Sequence, residues 1–396
     1  MELRVPAYEP AASPRARPAP RSAPVGPVRR VRRVLVVACV LALTPALLSY
    51  AVTMLSPSDS SLSIRSVEWL RDHGAAGLVT KVESIYYTLT APAKGGPQLH
   101  ALPRVGVAST GAAGASTTAP VVERPAPVQP LGGPPLAGEG VWRATQVGAS
   151  ASDPPLLVTT FRSDPSEYPR LVAGVAWINT SRTTVSLYAG RLEPSVELPY
   201  RGSMQAPLPL RHRLLATFNS GFKLADAHGG WALDGHTYAP MREGQATFVR
   251  YADGRYDVAA WQGGPSVGAN VVFARQNLPL IVSGGLPNPN LGDGPAWGAT
   301  LGNAIRVWRS GIGIDPRGNL IYAAAPDQTV QSLADVLIHA GAVRAMELDI
   351  NSYWVSFNSY GRPGGEEPAK LLGETERPAT RYLSPDDRDF FAVYLR

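Results

Sequence analysis

Cysteine is nearly absent from this chain. The single one, Cys39, lies in an apolar run, so no disulfide can form within the chain. A domain outside the cytoplasm would then rest on its core alone. That fits a bacterial envelope protein better than a small, disulfide-rich secreted module. Lysine is scarce beside arginine. A phosphate loop is missing too: Gly263-Gly264-Pro265 and Gly284-Gly285-Leu286-Pro287 punctuate loops, and no Gly-Lys-Ser/Thr follows them. There is no Gly-x-Ser-x-Gly nucleophile elbow. Excess charge is missing from most of the chain. The net +6 sits within residues 1–33, where eight Arg face only Glu2 and Glu9. Residues 34–396 are formally neutral, so they lack the electrostatic footprint that nucleic-acid binding requires.

What is present begins with that basic tail. Residues 1–33 are mostly Ala, Pro and Arg and are expected to be disordered and cytoplasmic. Residues 34–55 read VLVVACVLALTPALLSYAVTML, without a charge. The length matches the roughly 20 residues that a helix needs to cross a bilayer. RRVRR stands directly before this run and no comparable cluster follows it. The positive-inside rule then places the N-terminus in the cytoplasm and the rest outside. A cleaved signal peptide is the alternative. The apolar run exceeds the usual core of roughly 7–15 residues, and no small-x-small site closes it. The expectation is an uncleaved, single-pass plasma-membrane anchor.

Residues 60–90 carry Ile64, Val67, Leu70, Leu78, Val82 and Ile85 at helical spacing, with Arg65, Arg71, Asp72, Lys81 and Glu83 between them. Gly74 predicts a break into two short juxtamembrane helices. Their apolar face needs a bilayer surface, the globular domain or another copy, and the sequence does not choose. Residues 91–135, rich in Pro, Gly and Ala, predict an extended spacer. From 136 to 396 the chain turns to short β-like runs, among them Leu156–Arg162, Val172–Asn179, Leu214–Asn219 and Ile305–Ile314. One helix is predicted over Val330–Ala340, with Thr329 as N-cap and Gly341 as its stop. The predicted class is α+β: one extracytoplasmic domain around an extended, mostly antiparallel sheet, preceded by one transmembrane helix.

Val343–Asn351 reads VRAMELDIN. As a strand it puts Met346, Leu348 and Ile350 on one face and Glu347, Asp349 and Asn351 on the other, with neighbours roughly 7 Å apart. That lies within the separation of paired glycosidase carboxylates. A solvated sheet face is the alternative. In Ala216–Phe222, ATFNSGF, a strand runs into a tight turn where Asn219 either makes an Asx turn or orients a ligand. Val307–Asp315, VWRSGIGID, opens a hairpin. Its Arg309 requires an anion, either a structural carboxylate or a substrate phosphate. His228 and His236 are spaced outside any recognised metal pattern. Trp231 and Tyr238 either stack on a sugar or pack the core.

The ordered segments ATFNSGF, WRSGIGIDPRGNLIYAAA and TVQSLADVLIHAGAVRAMELDIN, within residues 210–360, resemble the phosphodiester glycosidase family. Its members are relatives of the enzyme that uncovers mannose 6-phosphate by removing N-acetylglucosamine. The resemblance implies an α+β fold and hydrolysis of a sugar-1-phosphodiester. Within it, Asn219 matches the turn Asn, Arg309 the strand Arg and Asp349 the Asp of the last motif. On the hydrolase reading, Asp349 or Glu347 is the expected general acid or base and Arg309 is expected to hold the phosphate, with Asn219, Asn351 and Ser352 as the further substrate-contacting candidates. Ile350-Asn351-Ser352-Tyr353 stands where the family has Gly-Gly-Gly-Ser, which removes the close backbone approach that glycine permits. Two functions are therefore expected. One is a membrane-anchored envelope hydrolase acting on an envelope glycan or sugar phosphate. The other is the same fold kept as a surface glycan- or protein-binding module. No cofactor is implied, and no motif points to a divalent cation near Asp349.

Overall fold

The computed structural model describes residues 27–103, 124–146, 154–298 and 306–396. The chain divides into two compact units, Met1–Ser56 and Pro57–Arg396. In the first, α1 (Pro27–Leu55) is a 29-residue helix that takes in the RRVRR cluster ahead of the apolar run. It is long and apolar enough to cross a membrane. Residues 1–26 of the expected tail lie outside the described residues.

The second unit opens with α2 (Leu62–Leu70) and α3 (Ala76–Leu89). Ser61 caps α2 by accepting from the Ile64 amide. The two helices part at Arg71–Ala75, where Gly74 takes φ +88°, as its lack of a Cβ allows. Val79 on α3 is buried, and Tyr87 packs against Phe222, Ala227, Val307 and Ile350. The globular domain thus takes one face of α3, while Leu78, Val82, Ile85 and Leu89 stay exposed. A single helical turn, α4 (Leu224–Ala227), follows the strand Leu214–Asn219.

The α+β class with mostly antiparallel strands holds, and among the described residues the strands are divided over three sheets rather than one. The largest has eight strands, with Leu156–Arg162, Val172–Ile178, Leu320–Gln328, Val307–Ile314, Arg344–Glu347 and Leu280–Ser283 side by side at its centre. Both of its faces are apolar, so each needs a cover. Along Leu156–Arg162, Leu156 and Val158 enter one core while Leu157 and Phe161 enter another. On the first face lie the two five-stranded sheets, supplying Phe218, Phe357 and Phe391 and also Phe248 and Phe273. On the second lies α5 (Val330–His339), with a capping box between Thr329 and Ser332. Its Leu333, Ala334 and Leu337 pack down onto the sheet. Gly311 permits this close approach, since a Cβ there would stand 2.9 Å from Leu337 Cδ1 and 2.9 Å from the Met346 carbonyl.

In the stretch expected as a spacer, residues 104–123 lie outside the described residues. The flanking parts rest on the domain. Val128 is buried and its amide donates to Gly140 O at 3.0 Å, while Gly95 N reaches Glu167 O at 2.8 Å. The reason is local: Val128 has an apolar seat beside Leu131 and Trp142.

Candidate functional site

The strand carrying the candidate carboxylates ends at Glu347, earlier than the sequence pattern suggests. It is a central strand, paired on both sides with Val307–Ile314 and Leu280–Ser283. Past the half-buried Arg344 its residues are buried on both faces, so the alternative of a solvated sheet face does not hold here. Glu347 is fully buried. Beyond it, Asn277 Nδ2 donates to the carbonyls of Glu347 (2.7 Å) and Leu348 (3.1 Å), and Ser310 Oγ donates to Asp349 O (2.8 Å). These bonds satisfy a backbone that has left the ladder. Glu347 and Asp349 therefore belong to different environments.

Glu347 faces inward. Its Oε1 accepts from Arg309 Nη1, and Arg309 Nε donates to Gln328 O at 2.9 Å. Burial pushes the Glu347 carboxyl up to about 6, against the pull of Arg309. Its Oε2 has no partner among the described residues. The anion that Arg309 requires is thus a carboxylate of its own sheet.

Asp349 faces a cavity. Its Oδ2 accepts from Arg388 Nη2 at 2.9 Å and its Oδ1 from the Asn351 amide at 3.0 Å. Asn351 Oδ1 then accepts from Tyr353 N at 2.9 Å. Two successive Asx turns so curl Asp-Ile-Asn-Ser-Tyr without a glycine. Burial raises the Asp349 carboxyl above its ordinary value, with Arg388 opposing. The cavity measures about 280 Å³. Asp349, Asn351 and Arg388 line it together with Phe222, Lys223 and His228, from the segment around α4. Glu68 of α2 and Arg71 just beyond it complete the wall. Lys223 Nζ stands 3.5 Å from Glu68 Oε1, and Arg71 pairs with Glu83.

The other expected residues are placed elsewhere. Asn219 is buried: its Oδ1 accepts from Tyr322 OH (2.9 Å) and Ser356 N (3.0 Å), and its Nδ2 donates to Ser310 Oγ (3.0 Å). It ties three segments together at the end of its strand. Arg309, Glu347, Asn219 and Ser352 are not among the residues lining the cavity. His228 lines it, whereas His236 is exposed and its ring nitrogen is bonded to Asp234 O at 3.0 Å. Trp231 is a core residue whose indole donates to Asp389 Oδ2 at 3.2 Å. Among the described residues, no three His, Cys, Asp or Glu side chains gather as a metal site.

Sequence reasoning missed Arg388, Lys223, Glu68 and Arg71. A signal for Arg388 was present. Asp386-Asp387-Arg388-Asp389 runs straight into the apolar Phe390–Leu395 strand. Charges so near a core strand persist only when paired. Asp386 meets Arg381 Nε at 2.7 Å, Asp389 meets Arg275 Nε at 2.8 Å and Arg388 meets Asp349. Chemically, the cavity offers a buried acid with an elevated carboxyl beside cationic side chains, which suits an anionic substrate that needs a proton.

No protein-family model matches the chain, and no curated protein matches it. Among solved structures, it is similar to the catalytic domain of zebrafish N-acetylglucosamine-1-phosphodiester alpha-N-acetylglucosaminidase, described as auto-inhibited by its pro-peptide. Identity is 17% and the TM-score 0.41, over 64% of this chain and 86% of that one. It is also similar to a hypothetical protein from Synechocystis, at 14% identity and TM-score 0.34, over 57% of this chain and 59% of that one. A putative exported protein from Burkholderia pseudomallei follows at 10% and 0.26, over 57% and 74%. At TM-scores below 0.5, these likenesses carry no weight for activity.

Proposed function

We propose that the chain is an envelope hydrolase of sugar-1-phosphodiesters, held in the plasma membrane by α1 with its C-terminal domain outside. One observation carries the reading: Asp349 and Arg388 stand together at a cavity of about 280 Å³ that Lys223 also lines. That volume is at the small end of the roughly 300–1,000 Å³ range of ligand clefts, which suits one sugar phosphate rather than a polymer segment. In the proposed reaction, Arg388 and Lys223 take the phosphoryl oxygens. Arg388 turns from Asp349 to the substrate anion; without that cation the buried Asp349 carboxylate takes up a proton from water. The bond between sugar C1 and the bridging oxygen breaks, Asp349 gives its proton to the bridging oxygen, and the Asp349 carboxylate so formed takes a proton from the water whose oxygen bonds to C1. Arg388 replaces Arg309 in the phosphate-holding role, because Arg388 lines the cavity and Arg309 does not.

A second reading, a binding module of the same fold, draws on a different observation. Asn219 and Arg309 are fully engaged inside the protein. The two readings separate in one assay: hydrolysis of a panel of sugar-1-phosphodiesters by the detergent-purified full chain, followed by phosphorus NMR. The hydrolase reading expects turnover that Asp349→Asn lowers by about 100-fold or more while the near-ultraviolet spectrum is unchanged. Turnover retained by the variant would remove Asp349 from the mechanism. No turnover by the folded wild type, with or without divalent metal, would favour the binding module.

A further inference from the structure

We infer that the open face of α3 is a membrane-docking surface, seated on the headgroup layer of the bilayer that α1 crosses. The inference rests on the membrane reading of α1 and not on the hydrolase reading. Leu78, Val82, Ile85 and Leu89 are between 54% and 80% exposed. At positions i, i+4, i+7 and i+11 they form one stripe along the helix. Lys81 borders this stripe on one side and Tyr86 on the other, and both are exposed. A long-stemmed cation and an amphipathic ring beside an apolar stripe match a bilayer interface, where the stems lie in the apolar layer and the polar ends reach the headgroups.

The opposite face of α3 already has its partner. Val79 is buried, Glu83 holds Arg71, and Tyr87 packs on Phe222 and Ile350. The open stripe thus belongs to a helix that is fixed in place. The connection to α1 supports a bilayer as the occupant. Ser58 and Ser60 both donate to Asp387 Oδ2, and Asp59 pairs with Arg191 and Arg377. Only Ser56 and Pro57 separate the end of α1 from this fastening. At about 3.8 Å between successive Cα atoms, so short a connection keeps the fastened segment within reach of the interface that α1 leaves.

The test uses the full chain in phosphatidylcholine–phosphatidylglycerol vesicles, some with brominated acyl chains. A polarity-sensitive fluorophore is attached to Cys39 in the wild type. In a Cys39→Ser background, it is attached at position 82 through Val82→Cys, at position 85 through Ile85→Cys, or at the exposed turn residue 253 through Asp253→Cys. The expected result is blue-shifted emission at 39, 82 and 85, quenched by at least half by brominated lipid, with 253 unshifted and unquenched. Quenching at 39 without quenching at 82 or 85 overturns the docking surface while leaving the span intact. A blue shift at 82 without quenching, together with disulfide cross-linking between copies, assigns the stripe to a second copy and also overturns it. No quenching at 39 overturns the span and the inference together.

Discussion

Glu347 is an acid in a place that favours its neutral form. Burial lifts its carboxyl from 4.5 to about 6, so the native state binds this proton more tightly than the unfolded chain does. The resulting stabilisation is complete below about 4.5 and is lost as pH rises through about 6. Over that interval the loss is about 2 kcal/mol, since each tenfold change in proton affinity is worth about 1.4 kcal/mol. Urea unfolding at a series of pH values should show this component in the wild type and its absence in Glu347→Gln. Arg309→Ala leaves the carboxylate buried without its cation, and we expect it to cost about 3–5 kcal/mol, more at pH 7 than at pH 5. At this scale the sequence pattern singled out Asp349 and Glu347 together, and only Asp349 lines the cavity. It did not name Arg388, whose partner stands 39 residues away. Nor did it separate Glu347 from Asp349. A period of two records alternation, and an acid buried against an arginine alternates just as a solvated one does.

Among the elements, the contact between α5 and the strand Val307–Ile314 is set by the absence of a side chain at Gly311. Gly311→Ala would drive a methyl against Leu337 and the Met346 carbonyl. The expected loss is roughly 1–3 kcal/mol, read as a lower urea midpoint with an unchanged slope. The segment before α2 responds to pH. Burial and the neighbouring charges of Asp386 and Asp387 push the Asp59 carboxyl from 3.8 up to about 7, against the pull of Arg377. A raised folded-state value means that the attachment is firmest when Asp59 is protonated and loosens as pH rises through about 7. Hydrogen exchange at the Ser61 amide, which donates to Tyr353 OH, should therefore lose protection between pH 6 and 8. Asp59→Asn should remove that pH dependence. Individual strands and α5 were legible because apolar runs bounded by Pro, Gly and Asn announce themselves within a few residues. The division into three sheets was not, since pairing is a long-range property. Phe390–Leu395, for example, joins Thr183–Tyr188 and Leu214–Asn219.

For the whole unit Pro57–Arg396, the ion pairs that matter are interior. Arg162–Glu139, Arg275–Asp389, Arg309–Glu347, Arg381–Asp386 and Arg388–Asp349 all join side chains less than 10% exposed. Salt screens exposed charges well and enclosed ones poorly. The thermal midpoint is therefore expected to change by no more than a few degrees between 0.05 and 1 M sodium chloride, checked by calorimetry. A large fall would mean that exposed pairs carry the fold. The position of Phe390–Leu395 between two much earlier strands has a consequence in time. A chain made in sequence order presents Thr183–Tyr188 and Leu214–Asn219 long before the strand that joins them. Until it arrives, their facing edges lie open to any passing β-segment. A nascent chain is therefore expected to be prone to aggregation through these edges until Phe390–Leu395 is made.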